Sequence, residues 1–226
     1  MDKRQAVVFD MDGVILDSGE IWQRLITELF TECCIPLSDL DEEAFAGGDN
    51  SQQWAAYLHH VIGIPFKERE IISRVIDGLL AAYEEVIPLL PSAAETITRL
   101  AAAYPLALAS SSPRPVIAFI LERSGLGRFF STWVSSDDVP HGKPQPDVYL
   151  KACERLGIRP QRCVAVEDSR FGIRAAKAAG LKVIAIPQPH RPLDTETLTL
   201  TDHALESIER LDPQTVRDVL GEGTAS

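Results

Sequence analysis

The sequence predicts an open, doubly wound parallel α/β sheet, interrupted after its first strand by an all-helical insertion. Three observations carry that prediction. Residues 6–9, Ala-Val-Val-Phe, form an apolar run that drives into Asp10 and Asp12, and such a run suits a buried parallel strand. From residue 93 onward, short apolar runs alternate with segments of helical periodicity, the pattern of a parallel sheet with right-handed crossovers. Between the two, residues 18–83 show helical spacing and no strand pattern.

Taken in order, the first strand spans 6–9. A helix follows over 20–33, with Ile21, Trp22, Leu25, Leu29 and Phe30 on one stripe. A second helix is expected over 51–62, with Ser51 as N-cap and Gly63 just past its end. A third covers 66–85 and is weakened by Gly78. The stretch 86–92, with its two prolines, makes a stiff boundary. A helix over 93–103 then leads into a strand at 106–109, which ends in Ser110, Ser111 and Ser112. A helix over 116–123 stops at Gly125, and a short strand occupies 132–135. A helix over 147–156 is capped by Gly157, and the strand at 163–166 ends in Glu167 and Asp168. A helix over 171–179 stops at Gly180, and 183–186 is the last clear strand. Residues 1–17 and 88–226 should therefore build the sheet domain, and 18–87 the helical one.

The 226 residues suffice for one α/β domain with a modest insertion. A formal net charge of −11 argues against nucleic acid and anionic membranes as partners. Cys33, Cys34, Cys153 and Cys163 show neither zinc-ligand spacing nor a redox C-x-x-C pair. Free thiols fit a reducing cytoplasm. Asp10 and Asp12 interrupt the N-terminal apolar run, so neither a signal peptide nor a membrane span is expected. A cytoplasmic monomer acting on a small molecule is the expectation.

Four strand ends carry polar groups. In a parallel sheet their carboxyl ends share one edge and meet in one crevice. The first contributes Asp10 and Asp12, another Ser110 and Ser111, the loop after a third Lys143, and a fourth Glu167 and Asp168. Two carboxylates about 4 Å apart repel by about 4 kcal/mol at an effective dielectric of about 20, so a cation or a proton must offset them. Mg²⁺ wants hard oxygens, and Asp10, Glu167, Asp168 and a backbone carbonyl near Asp12 would supply them. A phosphate dianion would then face the metal, Lys143 and the Ser110–Ser111 hydroxyls. One carboxylate can attack phosphorus while the other serves as acid and then base. Singly, each feature has a bland explanation: Ser110 as a helix cap, Lys143 as a solvated charge, Glu167-Asp168 as a capped turn. The four together do not.

These motifs resemble, in order and spacing, the haloacid dehalogenase superfamily of phosphatases. Asp10-Met11-Asp12-Gly13-Val14 is similar to its first motif, and the run ending at Ser110 to its second. Lys143-Pro144 is similar to the third, and Glu167-Asp168-Ser169 with Gly172-Ile173 and the alanine-rich 175–180 to the fourth. The resemblance implies a Rossmann-like core and a helical cap over 18–87 that selects substrate. It implies Asp10 as nucleophile and metal ligand, and Asp12 as general acid/base with its carbonyl on Mg²⁺. Ser110, Ser111 and Lys143 would hold the phosphate, Lys143 would also neutralise Asp10, and Asp168 would ligate the metal with Glu167 beside it.

Dehalogenases of this superfamily lack an acid at the position of Asp12, which points to phosphoryl chemistry. β-Phosphoglucomutases carry a histidine where this chain has Trp22 and an arginine in the cap loop, and residues 46–51 contain none. Asp17-Ser18, Trp22 and Ser110-x-Ser112-Pro113 look more like the hexitol and 2-deoxyglucose-6-phosphate phosphatases. The expectation is a Mg²⁺-dependent phosphatase that hydrolyses a small sugar or sugar-alcohol phosphate through an aspartyl-phosphate. A mutase and a phosphoglycolate-type phosphatase stand as alternatives. Substrate choice is expected from Trp22 as an apolar wall and from Gly48, Asp49 and Asn50 in the cap loop. Trp22→Ala should then alter relative activity among sugar phosphates more than it alters stability. Uniform loss on every substrate together with a lowered Tm would instead make Trp22 a packing residue.

Overall fold

The computed structural model describes residues 4–40, 50–189 and 191–221. Its centre is β1 (Ala6–Phe9), every residue of which is buried. Around it lie β2 (Leu106–Ser110), β3 (Phe130–Ser135), β4 (Cys163–Glu167), β5 (Lys182–Ala185) and β6 (His203–Ala204). All pairings are parallel, and the order is β3-β2-β1-β4-β5-β6. That order reverses between β1 and β4. The crevice outside their carboxyl ends is where such sheets bind ligands.

Side-chain alternation divides the sheet into two faces. Val7, Phe9, Leu106, Leu108, Val164 and Val166 build one core. Ala6, Val8, Ala107, Ala109 and Ala165 build the other. On the first face pack α4 (Ala93–Ala101), α5 (Arg114–Arg123) and α9 (Pro213–Val219). The second face, lined largely by alanines, receives α6 (Asp147–Leu156) and α7 (Arg170–Ala178). Helices on both faces of a parallel sheet are the doubly wound arrangement that the alternation of elements predicted.

The insertion after β1 contains α1 (Gly19–Glu32), α2 (Ser51–Tyr57) and α3 (Glu68–Glu85). Its apolar stripe, including Ile26, Phe30, Leu58, Val75 and Leu79, is continuous with the first core. Gly78 serves packing: a Cβ there would come within 2.6 Å of Leu25 Cδ2 on α1. The connectors into and out of the insertion run side by side. Asp17 N–H donates to Pro88 O at 2.8 Å, and Leu90 N–H to Ile15 O at 2.8 Å.

Three local expectations need correction. The N-cap of α2 is Asn50, not Ser51, because Asn50 and Gln53 satisfy each other's backbone N–H groups in a capping box. The helix expected to run to residue 62 ends at Tyr57 and continues as a π-turn over Leu58–Ile62, before Gly63 turns left-handed at φ 87°. Beyond the last expected strand lie α8 (Thr195–Thr199), β6 and α9. Asp194 and Asp212 cap the two helices through the N–H groups of Thr197 and Thr215, so a local Asp-x-x-Thr signal was present at both. Among the described residues, no helix is long and apolar enough to cross a membrane.

Candidate active site

The end of β1 places Asp10 in the crevice, 6% exposed, with its N–H on Val166 O of β4 at 2.9 Å. The chain then turns through Gly13 at φ 80°. A Cβ on Gly13 would overlap the Asp168 carboxylate. Glycine is thus required twice, for its backbone conformation and for the close approach of that acid. Gln188 donates its side-chain N–H to the Gly13 carbonyl and clamps the turn.

Lys143, 3% exposed, reaches back from the β3–α6 loop between two acids. Its Nζ lies 2.6 Å from Asp10 Oδ1 and 2.7 Å from Glu167 Oε1. Burial alone would lower its pKa; the flanking carboxylates overcome this and hold the ammonium above the ordinary lysine value. Glu167 is wholly buried. Besides Lys143, its oxygens accept the Tyr149 hydroxyl at 2.6 Å, the Asp168 and Ser169 N–H groups at 3.1 and 3.2 Å, and the Ser169 hydroxyl at 3.1 Å. Gly172, in the first turn of α7, leaves the space this carboxylate fills.

Asp12 meets hydroxyls instead of cations. Its Oδ1 accepts Ser18 at 2.6 Å, and its Oδ2 accepts Ser112 at 2.7 Å and Ser110 at 3.4 Å. The Ser110 hydroxyl also accepts the Ser112 N–H at 3.0 Å, which bends the chain after β2, and Ser111 lies between them. Burial first, and then the Asp12 charge, keep the neighbouring Tyr83 phenol on α3 protonated.

The crevice carries more acid than base. Carboxylate oxygens of Asp10, Glu167 and Asp168 lie within 4.8 Å of one another. Burial, with Glu167 and Asp12 adding to it, pushes Asp10 up to about 8 against the pull of Lys143. Asp168 is likewise raised well above its ordinary value, by burial and then by Glu167 and Asp10. An all-oxygen donor set with surplus negative charge suits a hard divalent cation such as Mg²⁺.

The structure therefore brings Asp10, Asp12, Ser110, Lys143, Glu167 and Asp168 to one sheet edge. Trp22 is half-buried against the first core. Asn50 does not stand free for a sugar hydroxyl: its Oδ1 accepts Gln53 N–H at 3.0 Å, and its Nδ2 approaches Pro140 O at 3.5 Å. Gly48 and Asp49 lie outside the described residues. Ser18, Ser112, Tyr149, Ser169 and Gln188 join the site without having been candidates. Of these, Ser112 had a local signal, in the serine run that ends β2.

A family model described as haloacid dehalogenase-like hydrolase matches residues 5–180. The chain is 32% identical over 221 residues to hexitol phosphatase B of Escherichia coli (strain K12), covering 96% of each protein. It is 30% identical over 230 residues to phosphoglycolate phosphatase of Escherichia coli O157:H7, covering 92% of this chain and 91% of that one. The crystal structure of a mutant CbbY from Rhodobacter sphaeroides, in complex with xylulose-(1,5)bisphosphate, is similar with a TM-score of 0.77 at 28% identity. That match covers 92% of this chain and 96% of the other.

Two expectations follow from the geometry. Without metal, folded Asp10 holds its proton up to about 8, whereas the unperturbed group loses it near 3.8. Across that window the folded state binds more protons than the unfolded, so stability falls as pH rises. The metal-free Tm should be lower at about pH 8 than at about pH 5, and Mg²⁺ should raise it more at the higher pH. A larger Mg²⁺ gain at the lower pH would contradict this. Separately, Gly172→Ala should expel Glu167 from its place beside Lys143 and cost on the order of 3 kcal/mol, read by denaturant unfolding. A variant as stable as the parent would show that the contact is dispensable.

Proposed function

The chain belongs to the haloacid dehalogenase-like hydrolases, in a branch of phosphatases for sugar and other small phosphates, and from that premise we propose a Mg²⁺-dependent hydrolysis through a phosphorylated Asp10. The observation that carries the proposal is the position of Lys143, in contact with Asp10 at 2.6 Å and Glu167 at 2.7 Å at the carboxyl ends of β1 and β4. Asp10 is the nucleophile: one carboxylate oxygen forms a bond to phosphorus as the ester P–O bond breaks. The leaving alkoxide takes its proton from Asp12. Asp12 then removes a proton from water, water attacks phosphorus, and the acyl-phosphate bond breaks to return Asp10 and inorganic phosphate.

Lys143 fixes the rotamer of Asp10 and offers positive charge to the phosphoryl oxygens, with Ser110 and Ser111 beside it. The hydroxyls of Ser18 and Ser112 hold the Asp12 side chain in place. Asp10, Asp168, the Asp12 carbonyl and Glu167 would hold Mg²⁺, with Glu167 the most committed elsewhere because its oxygens already serve Lys143, Tyr149 and the Ser169 turn. Bound there, the metal supplies countercharge for the phosphate and lets the acids ionise together.

Residues 18–87 act as the substrate-selecting domain in this reading, and Trp22 as part of its apolar surface. The substrate is a sugar or sugar-alcohol phosphate, supported by the hexitol phosphatase match across the whole chain. The unpaired state of all four cysteines supports a cytoplasmic setting.

The test is phosphate release from hexitol, hexose and glycolate phosphates, with and without Mg²⁺. The parent should turn over a hexitol or hexose phosphate fastest, and chelation should abolish release. Asp10→Asn should lose three or more orders of magnitude in kcat, and Asp12→Asn should accumulate a phosphorylated protein detectable by mass. Full turnover by Asp10→Asn would overturn the mechanism. A preference for phosphoglycolate would overturn the substrate.

A further inference from the structure

The loop between β3 and α6, residues 136–146, carries Lys143. It touches the insertion as well as the crevice. Two adjacent acids in it face different ways. Asp138 grips the core: its Oδ1 accepts the Arg114 guanidinium of α5 at 2.6 Å, and its Oδ2 approaches Arg155 of α6 at 3.4 Å. Asp137 grips the insertion. Its Oδ1 accepts the Ser51 N–H at 2.8 Å, and its Oδ2 accepts the Ser51 hydroxyl at 3.0 Å. The same Oδ2 lies 3.4 Å from the Arg114 N–H. One carboxylate therefore spans the first turn of α2, in the insertion, and the first turn of α5, which follows the Ser110–Ser112 run.

Two further contacts lie alongside. Gln53 Oε1 accepts the Gly142 N–H at 3.2 Å while also capping Asn50 N–H at 3.2 Å. Asn50 Nδ2 approaches the Pro140 carbonyl at 3.5 Å. Gly142 immediately precedes Lys143. The first turn of α2 is thus fastened at both ends of a segment that is itself anchored to the core by Asp138 and terminates in the buried ammonium. Ser51 is 4% exposed, so its hydroxyl is committed to this contact and not to solvent.

We propose that Asp137 is a positioning residue for substrate selection, which seats the helical insertion over the crevice by holding Ser51 against the loop that carries Lys143. The proposal rests on the phosphatase reading above and adds to it the part that couples the insertion to the phosphate site. Asp137 touches neither substrate nor reacting atoms. Its effect is confined to substrates whose non-phosphate part the insertion must reach. An esterified sugar alcohol presents such a part; a flat aryl phosphate has no hydroxyls to be read.

The experiment compares Asp137→Ala, Asp137→Asn and Ser51→Ala with the parent chain, using a hexitol phosphate and an aryl phosphate in Mg²⁺. Asp137→Ala should raise KM for the hexitol phosphate about tenfold, the worth of one hydrogen bond to a charged group. Its kcat/KM on the aryl phosphate should stay within about twofold of the parent. Asp137→Asn keeps one acceptor and should fall between. The Asp137→Ala/Ser51→Ala double variant should be no worse than Asp137→Ala, because the two residues share one interaction. A second measurement does not depend on activity: the Ser51 amide should exchange with solvent faster in Asp137→Ala, with the remaining α2 amides less affected. Equal loss on both substrates, additive single effects, or unchanged Ser51 exchange would overturn the proposal. A parent that releases phosphate from neither ester would overturn the phosphatase reading, while the exchange result would still judge the contact.

Discussion

One ammonium, that of Lys143, lies between the carboxylates of Asp10 and Glu167, and the crevice is arranged around that contact. Taking a charge out of water costs several kcal/mol for each ion, and attraction to a partner offsets this when geometry and further hydrogen bonds are good. The further bonds are present on the Glu167 side, where the Tyr149 hydroxyl, the Ser169 hydroxyl and two backbone N–H groups complete its coordination. Asp10 has Lys143 as its charge partner. The asymmetry is chemically useful. Glu167 is consumed in holding the lysine, and the lysine in turn holds Asp10 at the end of β1.

The topology explains why these three residues can meet at all. Asp10 and Glu167 follow paired neighbours, with Phe9 opposite Val166 in the β1–β4 register. The β1–β4 boundary is the place where the sheet order reverses, so no crossover helix covers that edge. Lys143 arrives from the far side, out of the loop after β3, and passes beneath Tyr149, whose ring centroid lies 5.1 Å from Nζ. The alanine-lined face of the sheet lets α6 and α7 come close enough to supply Tyr149 and the Ser169 turn. A larger residue at Gly172 or Gly13 would occupy the space that Glu167 or Asp168 fills. The small residues of the fourth motif are therefore packing requirements of the charged cluster.

Much of this was legible in the chain itself. An apolar run that ends in an acid is a local signal, and it located Asp10, Glu167 and Asp168 before any contact was known. The order of elements was enough to place their carboxyl ends on one edge. Lys143 was legible by motif and not by pattern, since a lysine in a polar loop has no local mark of burial. Tyr149 escaped because it acts through a partner reached by folding, whereas Ser169 lies two residues from Glu167 and stood in the fourth motif without a role of its own. Tyr149 and Glu167 are 18 residues apart, and Ser112 and Asp12 are 100 apart. The capping role of Asn50 was hidden for a related reason. An asparagine before a helix can cap it or face a ligand, and the choice depends on Gln53, whose carbonyl oxygen satisfies Asn50 in return. The three short elements after residue 190 fell below the length at which periodicity is visible.

Asp10 and Asp12 stand two residues apart on one turn, yet their surroundings differ in kind, and this difference supports the division of labour proposed for them. Asp10 faces an ammonium and two further acids, the environment of a group that works as a charge partner and nucleophile. Asp12 faces the hydroxyls of Ser18 and Ser112, which donate hydrogen bonds without neutralising it. Environment, not residue type, assigns acid and nucleophile roles to paired carboxylates. The two serines also belong to different parts of the chain: Ser18 lies in the connector entering the insertion, and Ser112 in the turn after β2. The side chain proposed to move the proton is therefore braced between the insertion's entrance and the phosphate loop. An acid/base group held this way can have its position set by both, and a rigid sheet edge carrying Asp10 supplies the fixed point against which that position matters.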